Sequence, residues 1–287
     1  MFNYYLIKNK FSLETIFDVA QMPSPLLGNH NIYRQDKFKA IRHELDSGCG
    51  AVTFNAPHLL DTADNERNQG FIHLGQQLGS LQTHKKGNPP ILRVEPKTSN
   101  NPTKPSSESL GIVPFHTDDC YCPNPIKYLI LLAIKPARVG GENQVLSIAK
   151  RLSEFKNSFG GAEAVNVLKR ETFPFSMPPK FHTDAEQQTL PLACGPIILD
   201  NGVTRFQIKA LREGFRRRPD LATDEKVMAV ELFNNYLQRH LEGQGVRLER
   251  GTVLIINNWR AMHSRKTFDD PERLLLRLSV AGHFPQA

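Results

Sequence analysis

Apolar positions recur along this chain in two periods, and each change of period marks an element. Phe38, Ile41 and Leu45 keep helical spacing, Gly48 and Gly50 break it, and Ala51-Val52-Thr53-Phe54 is strand-like. Phe71, Leu74 and Leu78 predict a second helix over Asn68 to Leu78, closed by Gly79. Residues 128–134 are an apolar run of strand length, and Gly140-Gly141-Glu142-Asn143 turns the chain before a strand over Gln144 to Ser147. Ile148 to Phe155 is helical in pattern, Phe173-Pro174-Phe175 is a short apolar segment, and Pro191 to Leu199 reads as a strand. Asn201-Gly202 is a hairpin signal leading into Val203-Thr204-Arg205-Phe206. Val227, Val230, Phe233, Leu237 and Leu241 return to helical register over Asp224 to Leu241. Val246-Arg247-Leu248 and Gly251 to Ile256 then read as strands. One stretch, residues 84–110, is polar and rich in proline, serine and asparagine around the strand-like Ile91 to Glu95. Loops of this kind serve as lids or mobile segments.

Chemistry enters at His116-Thr117-Asp118. In an extended strand His116 and Asp118, two residues apart, point to one side and Thr117 to the other. They form a two-toothed clamp in need of a third ligand, and His263, at the end of Asn257-Asn258-Trp259-Arg260-Ala261-Met262-His263, is the candidate. Two imidazoles and one carboxylate on one face of an octahedral metal leave three positions open, the arrangement of non-heme Fe(II) oxygenases. Alone, an H-x-D tripeptide is common and a strand histidine is usually structural, as His73 on the second predicted helix is read to be. The context strengthens it: an apolar strand, a Gly-Gly turn and two late arginines, Arg273 and Arg277, which can offer fixed forks to carboxylates.

In order, Phe115-His116-Thr117-Asp118, Pro123-x-Pro125 before the apolar strand, Gly140-Gly141-Glu142-Asn143, Asn258-x-Arg260-x-x-His263 and Arg273-x-x-x-Arg277 resemble the Fe(II)/2-oxoglutarate-dependent dioxygenases of the taurine dioxygenase and clavaminate synthase superfamily. The resemblance runs from about Ile41 to Val280. It implies a mainly β protein with flanking helices, a double-stranded β-helix (jelly-roll, cupin-like) barrel carrying iron in its open end. It further implies that His116, Asp118 and His263 ligate Fe(II), that Arg273 holds the distal carboxylate of 2-oxoglutarate, and that O2 is the other co-substrate. Where many relatives read G-G-x-T, this chain has Asn143, whose amide can donate a similar hydrogen bond to 2-oxoglutarate. The segment before the H-x-D strand borders the substrate in this family. Arg93 and Glu95 are therefore substrate candidates, against the alternative of exposed charges on an edge strand. Arg205 is a further candidate, and Arg277 is placed to meet a second carboxylate or another oxyanion. Phe181-His182-Thr183-Asp184 repeats the clamp's letters. The family puts several strands and a variable insert between the two halves of its triad, which suits the longer interval from His116, so His182 and Asp184 are assigned to a surface or lid loop. A carboxylate at position 118 disfavours halogenation, since related halogenases replace that ligand with a small residue. Trp259 is expected to pack near the site rather than touch substrate.

Composition adjusts this picture little. The 287 residues, 39% of them apolar, suit one catalytic domain over 1–287, with 1–40 an N-terminal extension and 148–222 a variable insert over the barrel. The N-terminus lacks a secretory pattern and no window approaches the roughly 18 apolar residues of a membrane span. Four cysteines make no disulfide framework, which fits a reducing cytoplasm, and Cys120 and Cys122 lack the second pair a soft-metal site needs. The net charge of +7 is spread, with Arg216-Arg217-Arg218 the only run, so it points to drawing in anionic 2-oxoglutarate rather than to nucleic acid. The expected partner is an acidic or zwitterionic small molecule. Hydroxylation of a free amino acid or derivative is the leading reading, with release of succinate and CO2. A sulfonate, a phosphorus oxyanion or an acidic sugar is the alternative. A non-catalytic cupin-like barrel binding metal or ligand is the reading from a different class.

Overall fold

Strands buried on both faces need a covering layer on each side, and this chain supplies helices for the outer faces and a second sheet for the inner one. The computed structural model describes residues 35–83, 89–97, 108–177, 192–243, 245–283 and 285. His182, Asp184 and most of the segment 1–40 lie outside them, as does much of the polar stretch 84–110.

In chain order, helix α1 (Gln35–Ser47), strand β1 (Ala51–Asn55), α2 (Asp64–Gln76), β2 (Leu81–Gln82) and β3 (Leu92–Val94) come first. Then follow β4 (Val113–His116), β5 (Tyr128–Lys135), β6 (Asn143–Ser147), α3 (Ile148–Lys156) and α4 (Gly161–Arg170). After these come β7 (Phe173–Phe175), β8 (Ala193–Gly195), α5 (Ile208–Arg217), α6 (Asp224–Gln238), β9 (Thr252–Asn257), β10 (Ala261–Arg265) and β11 (Leu274–Val280). The described chain is thus a mixture of helix and sheet rather than mainly β, because the segments flanking the sheets are helical over most of their length.

One antiparallel sheet has the order β1-β9-β5-β11-β2, with β3 also on β11; a second has the order β4-β10-β6. Period-two alternation divides the larger sheet. Tyr128, Ile130 and Leu132 of β5, Val253 and Ile255 of β9, and Leu276, Leu278 and Val280 of β11 pack outward against Phe38, Ile41 and Leu45 of α1 and Phe71 and Leu74 of α2. The intervening Leu129, Leu131, Ala133, Leu254, Ile256 and Leu275 face inward and meet Ala261 and Val145 of the second sheet. Each such buried aliphatic contributes about 1.5–3 kcal/mol. The second sheet is covered in turn: Phe115, Met262 and Ile148 join a cluster with Phe155, Leu168, Leu211 and Phe233 from α3, α4, α5 and α6. Described parts of 148–222, together with α6, therefore build the outer layer over β4, β10 and β6.

Two expected strands are shorter than their pattern suggests. Of Pro191 to Leu199 only Ala193–Gly195 forms a strand, paired with β7, because Pro196 cannot donate to a ladder. Asn201-Gly202 does turn tightly, with Gly202 N donating to Leu199 O at 2.8 Å and Leu199 N to Val203 O at 2.9 Å. Beyond it the pairing persists only as the bridge from Ile198 to Thr204. Val246 likewise makes a bridge to Asn143 rather than a strand.

Gly140 and Gly202 both adopt positive φ, +75° and +79°, but differ in surroundings. A Cβ on Gly140 would lie 2.2 Å from the Thr267 carbonyl oxygen, whereas one on Gly202 meets nothing within 4 Å. Gly202→Ala is expected to cost only the left-handed backbone penalty of about 1–2 kcal/mol. Gly140→Ala adds a clash with fixed backbone and is expected to lose clearly more. Urea unfolding midpoints check the order, and equal losses would show that the 140–141 turn can give way.

Candidate metal centre and adjoining anion pocket

His116 and His263 are directly opposed across the antiparallel pair of β4 and β10, which puts their side chains on one face as cross-strand neighbours. Their ring centroids are 4.3 Å apart. The register contains an irregularity that matters here. From Arg265↔Val113 to His263↔His116, β10 advances two residues while β4 advances three, so β4 carries a bulge around Pro114-Phe115. The extra residue lets Phe115 enter the outer core while Val113 and His116 both face the interior cavity. Pro114 in an edge strand was the available signal for it.

The strand ends at His116, which corrects the expectation that one extended strand carries both clamp residues. Asp118 lies in the turn beyond, and three bonds from Asn258 hold it there. Asp118 N donates to Asn258 Oδ1 at 2.7 Å, and Asn258 Nδ2 donates to Asp118 O and to Ile126 O, each at 3.0 Å. Thr117 does point away, and is bound on that side. Its N–H donates to Phe206 O at 2.8 Å and its hydroxyl accepts from Phe206 N at 2.9 Å. Asn258, 1% exposed, was visible in the sequence only as a motif letter; its role depends on a contact 140 residues away.

The result is a compact donor set. His116, Asp118 and His263 can each aim one ligand atom into a cluster whose atoms all lie within 4.8 Å of one another. Asp118 Oδ1 is 3.3 Å from His116 Nε2 and Asp118 Oδ2 is 3.6 Å from His263 Nε2. Ligands bonded at about 2.1 Å to one ion, at right angles, lie about 3 Å apart, so this set fits a first-row divalent metal. Protonation states agree. His116 Nδ1 donates to the Pro114 carbonyl at 2.9 Å, which leaves the Nε2 lone pair free. Burial, reinforced by His116, pushes His263 down to about 3, so it is neutral at physiological pH. Burial opposes ionisation of Asp118, but the Arg277 guanidinium, with His263 and His116, holds its carboxyl well below the usual range.

Next to the donor set, between the two sheets, the cavity has an unbalanced charge. Arg273, 3% exposed, stacks on Phe268 at 4.9 Å and has no acidic partner among the described residues. Burial pushes it down to about 10. Arg265 stacks on the same ring at 4.7 Å, donates to the carbonyls of Ser109 and Gly111, and is also pushed down to about 10 by burial and by Arg273. Two buried guanidiniums without a carboxylate create a strong demand for an anion. Asn143 lines the same cavity, and its Nδ2 is a buried donor with no partner. Gly141, at φ +72°, lets the turn pass under Arg273; a Cβ there would lie 3.3 Å from Arg273 Nε.

Other sequence candidates divide. Arg277 lines the cavity, 3.3 Å from Asp118 Oδ2. On β3 the alternation runs against expectation: Leu92 and Val94 face the cavity, while Arg93 pairs with Glu95 at 3.0 Å in a half-exposed bridge on the opposite side. Arg93 and Glu95 are corrected to surface charges. Arg205 is buried behind the wall, stacked on Phe175 at 4.2 Å, and does not line the cavity, so it too is corrected to a packing role. Trp259 is buried beside Leu199 and Val203, with Nε1 donating to Pro125 O, and stays out of the cavity as expected. Five polar cavity residues went unmarked in the sequence: Asp119, Tyr121, Gln207, Ser264 and Arg265.

Residues 29–279 match the sequence profile of the family described as "Taurine catabolism dioxygenase TauD, TfdA family". No curated protein sequence matches the chain. Among solved structures, an asparagine oxygenase in complex with Fe(II), 3-hydroxyasparagine and succinate is 16% identical, with TM-score 0.66 over 86% of this chain and 78% of that one. The non-heme iron oxygenase OrfP, in complex with Fe and alpha-ketoglutaric acid, is 18% identical, with TM-score 0.58 over 91% and 81%. A taurine dioxygenase from Burkholderia xenovorans is 17% identical, with TM-score 0.59 over 94% and 86%. At these identities the likeness is one of fold.

Removing the Asn258 amide strands two carbonyls and one N–H. Asn258→Ala is expected to lower stability by about 2–4 kcal/mol and to weaken Fe(II) or Mn(II) binding by about 10–100-fold. Thermal unfolding and anaerobic metal titration measure the two effects. Wild-type metal affinity in this variant would show that the turn holds Asp118 unaided.

Proposed function

The chain belongs to the TauD, TfdA family of taurine catabolism dioxygenases, and we propose that it hydroxylates a free amino acid or a close derivative, releasing succinate and CO2. It is an Fe(II)- and 2-oxoglutarate-dependent dioxygenase. The observation that carries the reading is the pairing of a neutral-imidazole, carboxylate donor set with an unpartnered, buried Arg273 in one cavity. On this reading the two sheets are the walls of a double-stranded β-helix in a single catalytic domain.

His116, Asp118 and His263 would hold iron through two Nε2 atoms and a carboxylate oxygen. Iron held there would supply the oxidising chemistry that couples decarboxylation of 2-oxoglutarate to oxygen insertion. The protein's own groups bind, orient and exclude water. Arg273 takes the distal carboxylate of 2-oxoglutarate and Asn143 Nδ2 donates beside it, which would satisfy an otherwise orphaned donor. Leu129, Leu131, Val94 and Leu275 give this end apolar walls, so the ion pair forms away from bulk water. Arg277, on β11 and four residues beyond Arg273, lines the same cavity and is left for an acidic group of the substrate. The solved neighbours carry hydroxyasparagine in one case and (3S)-hydroxy-L-Arg in another, which supports an amino acid as the class. All four cysteines are free, as suits a reducing cytoplasmic setting, and no helix of the described residues is long and apolar enough to cross a membrane.

Anaerobic addition of Fe(II) and 2-oxoglutarate should produce a weak visible charge-transfer band, which a non-catalytic barrel would lack. Arg273→Ala should raise the 2-oxoglutarate concentration needed for half-maximal succinate release by about thirtyfold or more, as expected for a buried charge-assisted pair worth roughly 2–5 kcal/mol. An unchanged 2-oxoglutarate dependence would move that role to another arginine, with Arg265 the first to test.

A further inference from the structure

The cavity also holds groups that neither the metal nor 2-oxoglutarate uses. Asp119, directly after the carboxylate of the donor set, is the only non-glycine residue at positive φ (54°) among the described residues. Aspartate tolerates this region at a cost of order 1 kcal/mol, and here the conformation turns a second carboxylate into the cavity instead of out to solvent. The Tyr121 hydroxyl donates to its Oδ1 at a long 3.5 Å. Gln207, which precedes α5 and occupies its N-cap position without making a side-chain cap bond, belongs to the same cavity. Gln207 lines the cavity instead, and its Oε1 is buried with no hydrogen-bond partner. The double bond between Thr117 and Phe206 fixes the two chain segments side by side, so the relative placement of Asp119 and Gln207 is set by backbone. Arg277 lines the same cavity, 3.3 Å from Asp118 Oδ2.

Two acceptors and a guanidinium fork within one cavity are the complement of a zwitterion. We propose that Asp119 and Gln207 Oε1 together receive the ammonium group of a substrate whose acidic group lies on Arg277, and so restrict the enzyme to molecules bearing a free primary amine. This rests on the amino-acid reading above and sharpens it. An N-acylated or deaminated acid would leave both acceptors desolvated and unpaired, and sites built to bind an N–H reject analogues that lack it. Asp118 cannot serve in their place, because its oxygens are committed to the donor set and to Arg277.

Calorimetry on the anaerobic protein loaded with Fe(II) and 2-oxoglutarate provides the test, with pairs of probes: each proteinogenic amino acid beside its deamino acid, and taurine beside ethanesulfonate. At least one zwitterion should bind more tightly than its deamino partner by about tenfold or more. In Asp119→Asn, which keeps the residue's tolerance of positive φ, that ratio should collapse towards one while the deamino acid binds as before. Gln207→Met should reduce it in the same direction. A deamino acid that binds as well as its parent, a panel in which no zwitterion binds, or a ratio unchanged in Asp119→Asn overturns the proposal. Loss of the charge-transfer band in the unmutated protein is a separate result: it would overturn the oxygenase reading, whereas the calorimetric ratio judges the ammonium subsite.

Discussion

Asp118, the carboxylate of the candidate donor set, lies after the end of its strand with no ladder to hold it, and the donor set depends on how this chain solves that problem. The Asn258 amide does so by satisfying both backbone groups of Asp118 and the Ile126 carbonyl at once. The two histidines need no such device, because antiparallel register already opposes them. Two ligands are therefore fixed by the sheet and one by a side-chain clamp. The clamp comes from the turn between β9 and β10, the same turn that leads to His263, so one short segment positions two corners of the triad.

The cavity's electrostatics follow from burial. Arg265, Arg273 and Arg277 share one cavity with two carboxylates, Asp118 and Asp119. Leu129, Leu131 and Leu275 supply the apolar part of its wall, which leaves the remaining positive charge less compensated than it would be in bulk water. A divalent metal added to the site makes the imbalance larger, and dianionic 2-oxoglutarate makes it smaller. The ligands are in this sense part of the charge balance of the fold. It also explains why Arg273 and Arg265 share one ring, Phe268: a quadrupole face offers both guanidiniums some compensation before an anion arrives.

Sequence reading succeeded where a local period or motif carried the information. The helices over Phe38 to Leu45 and Asp224 onwards, the strands at 128–134 and 252–256, and the donor set itself were legible because each is a repeat or a dense cluster of rare letters. Arg93 and Glu95 failed on phase. The segment was read correctly as strand-like, but Leu92 and Val94 take the inner face because apolar side chains gain from burial while a paired Arg and Glu lose little in water. Arg205 failed because a buried arginine is as well served by stacking on Phe175 as by a ligand. Asn258, Gln207 and Asp119 were passed over because their partners are distant in sequence: amides and carboxylates have no local signature until the contact that uses them is known.

The turn Asn257-Asn258-Trp259-Arg260 also ties the site to the outer layer. Asn257 Nδ2 donates outward to Leu45 O and Asp46 Oδ1 at the end of α1, and its own Oδ1 accepts from Trp259 N. Asp46 in turn accepts from the Tyr128 hydroxyl at 2.8 Å and from Lys127 at 3.1 Å. Adjacent residues of one turn thus bind in opposite directions, Asn257 to the helix that covers the sheet and Asn258 to the loop that carries a ligand. Loosening α1 would relax Asn257, and through the shared backbone would free Asn258 and with it Asp118. Packing outside the sheet is thus joined by hydrogen bonds to the turn that holds Asp118, although no side chain of α1 reaches the cavity.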